Sequence, residues 1–248
     1  MNEEPVKSSV VQLVDSLLKS PGEFIAKIHD GKDGAGLASR LMVMVIVGLV
    51  LFGFVLGNFS WGAQLWWAPL KVVLGLLLSG LACLPGFFVY MALCGASISM
   101  REGGRYLLSA LGVMSVLLVG FVPVLWVFSQ SSESEVFFGC LVLASWLVSF
   151  VFGARFLLNV LKITGGDKKS PLGIWLGMFL LVTLQLSTTL RPLIGTPDKV
   201  FTPEKRSFVV HWGLEMFGVE TDPDILPDES PVRKGPGVES ENPFLEEE

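Results

Sequence analysis

The stretch from Leu41 to Phe59 reads LMVMVIVGLVLFGFVLGNF, nineteen residues without a charge. At ~1.5 Å of rise per residue, a helix of this length spans roughly 30 Å, the hydrocarbon thickness of a bilayer. No water reaches that depth, so the segment must satisfy its own backbone polar groups, and a helix does so. Four further apolar stretches follow, at 72–93, 106–128, 136–154 and 172–190. The expected fold class is all-α, a polytopic bundle of five transmembrane helices within residues 41–190. Residues 1–40 are expected to form cytoplasmic amphipathic helices, 191–220 an interfacial segment, and 221–248 a disordered acidic tail.

Charge is scarce and segregated. Only 17% of the 248 residues are charged, and the mean hydropathy is +0.62; soluble domains carry about a quarter. Residues 1–190 hold 12 Lys+Arg against 10 Asp+Glu, a balance of +2, whereas residues 191–248 hold 6 against 13, a balance of −7. No basic stripe outside the loops points to nucleic acid. Cys83, Cys94 and Cys140 are scattered through apolar stretches with no CxxC pair, which argues against a disulfide framework or a zinc site. The first forty residues are polar and amphipathic, so Leu41–Phe59 is expected to act as an uncleaved signal anchor.

Before the first span, Val6, Val10, Leu13, Val14, Leu17 and Leu18 recur at helical spacing. Ser20-Pro21-Gly22-Glu23 then reads as a stop and a new start, with Ser20 and Glu23 as a capping box. Phe24, Ile25 and Ile28 give the second short helix its apolar side. These two helices are expected either to lie on the membrane or to pack on the end of the bundle. His29-Asp30-Gly31-Lys32-Asp33-Gly34 reads as turns, because it lacks the alternating ligands and closing Glu of a calcium loop.

The loops assign the sides. The N-terminal segment carries five Lys/Arg, the 101–105 loop two, and the 155–171 loop four, against Lys71 alone on the other side. By the positive-inside rule the N-terminus is cytoplasmic, and five spans put the C-terminus outside. Trp61, Trp66, Trp67 and Trp126 gather on the outer side as an interface belt. Beyond the last span, Phe208, Val209, Trp212 and Met216 form one side of a short helix expected to fold back on that belt. His211 beside it has no second ligand nearby in the sequence.

Within the spans, Pro85-Gly86 and Pro123 are hinge candidates, and Pro85-Gly86 is expected to kink or break the second span. Gly53 and Gly57, Ala82 and Gly86, and Gly173 and Gly177 are spaced four residues apart, as in close-packed membrane helices. The cores of the five stretches hold no Asp, Glu, Lys, Arg or His. This argues against proton-coupled pumps, ion-coupled transporters and voltage sensors. Catalytic dyads, HExxH, Walker loops and GxGxxG are all missing, so no enzymatic activity, cofactor or metal is expected.

SLLKSPGEFIAKI ahead of the first span, CLPGFFVYMALCG in the second, and the five-span layout together resemble the Yip (Ypt-interacting protein) superfamily and its bacterial Yip-like relatives. The likeness covers about residues 13–190, and TLRPLIGTPDKVF is similar to segments of uncharacterised bacterial membrane proteins. It implies a non-enzymatic integral protein of a bacterial cytoplasmic (inner) membrane. Two functions stay open. One is a scaffold or assembly protein whose partners are the lipid bilayer and either a second copy or other membrane proteins. The other is a small transporter or channel subunit for an uncharged or lipidic solute, motivated by Pro85-Gly86, Pro123 and the Ser/Thr-rich end of the last span.

Overall fold

A computed structural model describes residues 10–31, 36–60, 64–131 and 134–189. Among them all regular structure is helical: α1 (Val10–Lys19), α2 (Pro21–His29), α3 (Leu37–Ser60), α4 (Gln64–Leu93), α5 (Met100–Ser131), α6 (Glu135–Ile163) and α7 (Ser170–Thr189). Val6, Trp61, the 191–220 segment and the 221–248 tail lie outside the described residues. Four helices, α3 to α6, are long and apolar enough to cross a membrane.

The helices outrun the apolar stretches at their ends. Helix α5 begins at Met100 because Ser99 and Glu102 form a reciprocal cap. The Ser99 amide and hydroxyl donate to a Glu102 carboxylate oxygen at 2.6 and 2.8 Å, and the Glu102 amide donates back to Ser99 Oγ at 3.3 Å. The capping box expected at Ser20–Glu23 does not form. Ser20 makes no side-chain capping bond, and its φ of −130° and ψ of 57° lie outside the extended geometry of a cap. Glycines close α4 and α6. Gly95 and Gly165 have φ of +86° and +82°, and the amides of Ala96 and Gly166 reach back to the carbonyls of Met91 and Leu161. This is the Schellman arrangement, in which a left-handed glycine satisfies the last carbonyls. The two turns are then joined, since Asp167 and Lys168 both donate their amides to the Cys94 carbonyl, at 3.2 and 3.4 Å.

Helix α3 packs against both α4 and α5, α5 against α6, and α7 against α4. Helices α1 and α2 settle the question of their docking. Leu13, Leu17, Ile25 and Ile28 are buried, and the pair packs on α5 and α6. The bundle receives Leu13 and Leu17 of the stripe, whereas Leu18 is exposed. Lys19 and Asp15 form an exposed ion pair at 2.6 Å, one helical turn apart, and Asp15 raises the Lys19 ammonium above its usual pKa.

Pro85 does not break its helix. Helix α4 runs unbroken from Gln64 to Leu93 with both Pro69 and Pro85 inside it, and Pro123 likewise sits inside α5. A proline removes one backbone donor, whereas a full break at this depth would strand several polar groups away from water. Pro85 and Pro123 both face outward.

Candidate functional site

The α4–α7 junction is built around Trp175. Its indole Nε1 donates to the Cys83 carbonyl at 3.1 Å, in a fully buried hydrogen bond. Gly86, one turn on, makes the room: a methyl placed there would lie 3.5 Å from the indole and 3.4 Å from Met178. The ring also meets Phe87 with centroids 4.9 Å apart and stacks on Phe179 at 5.4 Å. Phe179 continues to Phe150 at 6.2 Å, and Phe150 to Trp146 at 5.6 Å. An aromatic column thus joins α4, α7 and α6. Of the hinge candidate Pro85-Gly86, the glycine is the seat of a tryptophan.

The expected small-residue pairs divide. Gly53 is a contact point, because a Cβ there would collide with the backbone of Pro69. Gly57 is buried, and Ala82 faces outward. Gly173 and Gly177 have nothing within 4 Å of an added Cβ, so they pack against no other described helix. Other glycines carry the close approaches. A methyl on Gly48 would sit 3.2 Å from the Ser115 carbonyl oxygen, one on Gly112 2.6 Å from Met44 Cε, and one on Gly153 2.7 Å from Met114 Cγ. None of these three belongs to a GxxxG pair, and reading that spacing alone misses them.

The belt residues Trp66, Trp67 and Trp126 are exposed, Trp66 by 73%. Phe59 stacks on Phe138 at 4.3 Å, which ties the end of α3 to the start of α6 beside that belt.

Lys71 corrects an expectation. Hydropathy alone assigns it to the loop ahead of the 72–93 stretch. Because α4 starts at Gln64, Lys71 instead lies two turns inside a helix long enough to span, and it is only 8% exposed. Its long methylene stem tolerates this position better than a short acid would. Asn58, near the end of α3, buries its side-chain nitrogen with no hydrogen-bond partner among the described residues.

The buried serine and threonine hydroxyls satisfy themselves locally. Ser79 donates to the Gly75 carbonyl at 2.7 Å, Ser115 to Gly112 at 2.9 Å, Ser145 to Leu141 at 2.9 Å, Ser149 to Ser145 at 2.9 Å, and Thr183 to Phe179 at 2.8 Å. Each hydroxyl proton is spent within its own helix. Among the described residues no group of three His, Cys, Asp or Glu could hold a metal ion, and all three cysteines are free. No family model, curated protein or solved structure matches this chain significantly.

Proposed function

We propose that the chain is a non-catalytic integral membrane protein, a scaffold or assembly partner, with five spans, a cytoplasmic N-terminus and an outer C-terminus. The fifth span is α7, whose 20 residues amount to roughly 30 Å. What carries the reading is how the buried serine and threonine hydroxyls are used. Ser79, Ser115, Ser145, Ser149 and Thr183 all donate back to their own helices, while glycines bring the backbones together. Such an interior offers a solute few donors and serves association in lipid, where close packing is the main force between helices. The Yip-like layout belongs to the same reading and rests on its sequence segments. The proposed location is a bacterial cytoplasmic membrane.

One observation favours the second reading, a transporter or channel subunit. Lys71 is a buried cation in a spanning helix, and such residues mark pathways by default. Cys83 decides between the two, because it is buried between α4 and α7. With Cys94→Ala and Cys140→Ala in place, a charged thiol reagent added to membranes should leave Cys83 unmodified until the protein is denatured. Rapid modification in the native state would replace the scaffold by the transport reading. Labelling of a cysteine at Lys169 from outside intact cells would reverse the assigned sides.

A further inference from the structure

The outer face of α6 changes character along a single stripe. Val148, Phe152, Arg155, Asn159 and Lys162 follow one another at helical steps of three or four. Val148 and Phe152 are exposed apolar residues, at 43% and 44%. Arg155 and Lys162 are exposed cations, and Asn159 between them is half-buried. The opposite face of the same turns, Phe156, Leu157, Val160 and Leu161, is buried in the bundle, so the stripe points away from the protein. The Arg155 guanidinium lies over the Phe152 ring, 5.5 Å from its centroid. That contact holds the charge at the point where the apolar part of the stripe ends. Arg155 and Lys162 are about 10 Å apart along the helix axis.

The geometry points to a binding site for one anionic phospholipid on α6. Its acyl chain lies along Val148 and Phe152, and its phosphate is held by Arg155 and Lys162, with the Asn159 amide as a neutral donor. This rests on the membrane reading above. Charge complementarity selects the lipid class. The second half of α6 carries no carboxylate. Two carboxylates at this end of the bundle are already engaged, Asp15 with Lys19 and Glu102 with Ser99. Helix α2, packed on α6, contributes Glu23 and Lys27, which cancel. Of the other charges at this end, Asp167, Lys168 and Lys169 sit on the turn tied to Cys94, and Arg101 and Arg105 belong to α5, all off the stripe.

The test uses the full chain purified in a neutral detergent and titrated with phosphatidylglycerol, with bound lipid read by native mass spectrometry. Arg155→Gln with Lys162→Gln should weaken phosphatidylglycerol binding by about tenfold or more, since each cation near a lipid headgroup contributes roughly fivefold. Binding of phosphatidylcholine should stay unchanged. The charge-keeping pair Arg155→Lys with Lys162→Arg should stay within about threefold of the parent. The pair Lys168→Gln with Lys169→Gln removes the same charge from the turn and should change little. Equal weakening by the turn pair would overturn the site in favour of a diffuse attraction. Competition by free glycerol phosphate at similar concentration would overturn the lipid in favour of a simple phosphate. Carbonate extraction of the same variants reports membrane spanning separately, so a peripheral protein is told apart from a spanning one without this site.

Discussion

The α3–α5–α6 interface and the α4–α7 interface hold helices together by opposite means. In the first, small residues let backbones approach, and the fit is shared among Gly48 with Ser115, Gly112 with Met44, and Gly153 with Met114. In the second, one large side chain dominates, with Trp175 filling the space above Gly86 and bonding the Cys83 carbonyl. Distributed contacts degrade gradually when one is lost. A concentrated contact fails at a single residue. Helix α7 packs mainly on α4, so its attachment should depend on Trp175 more than any other helix depends on one side chain.

The largest effect is therefore expected from Trp175→Ala, about 3–5 kcal/mol of destabilisation. It should appear as a lower melting temperature in detergent together with faster proteolysis in the 164–169 turn. Trp175→Phe keeps the ring and removes the donor, and should cost about 1 kcal/mol. If Trp175→Ala costs no more than Trp175→Phe, the aromatic column is not what anchors α7.

Gly53→Ala comes next. Its new methyl would meet the backbone of Pro69, which cannot swing aside, so α3 and α4 must separate. A loss of about 1–3 kcal/mol is expected. Gly112→Ala is the informative partner, because its close contact is the far end of the flexible Met44 side chain, with Leu41 at an ordinary 3.8 Å. The expected order in melting experiments is Gly53→Ala more damaging than Gly112→Ala. The reverse order would mean that the α3–α4 contact yields more easily than its backbone geometry implies.

Much of this architecture was legible in the sequence, and the reasons are physical. An uncharged run of bilayer length has few alternatives to a helix, so α3 to α6 were readable from hydropathy. The stripe of Leu13 and Leu17 was readable from its period. What hydropathy does not carry is where a polar helix end stops. The Ser99–Glu102 cap extends α5 six residues ahead of Tyr106, and the early start of α4 draws Lys71 inside. Pairwise packing was legible only in part. GxxxG spacing says that a face is small without saying which way it points. Gly53 faces Pro69, whereas Gly173 and Gly177 face no other described helix. The partnership of Trp175 with Cys83 joins residues 92 apart in the chain, and no local pattern announces it.

Helix ends give a smaller contrast of the same kind. Ser99→Ala removes a hydroxyl that both donates to Glu102 and accepts its amide, and should cost about 1 kcal/mol. Ser20→Ala removes a hydroxyl that makes no capping bond and should stay within about 0.5 kcal/mol. Chemical unfolding of the two variants side by side measures the difference. Equal losses would mean that the reciprocal bonds at Ser99 add nothing beyond an ordinary helix start.

The smallest effect sharpens the comparison most. Gly177→Ala places a methyl where nothing among the described residues lies within 4 Å, beside Ile174 at 63% exposure and Leu181 at 66%. No packing is lost, and alanine is the better helix former by up to about 1 kcal/mol. Gly177→Ala should therefore leave the melting temperature of the isolated chain unchanged or raise it slightly, in contrast to Gly53→Ala. The two glycines share the same four-residue spacing motif and differ only in what they face. Stability measured in native membranes beside that in detergent adds the decisive readout. If Gly177→Ala lowers stability in the membrane but not in detergent, another helix occupies this face in the bilayer, and the motif is used between chains. If it is silent in both, lipid covers the face, and the small-residue spacing at Gly173 and Gly177 has no packing role.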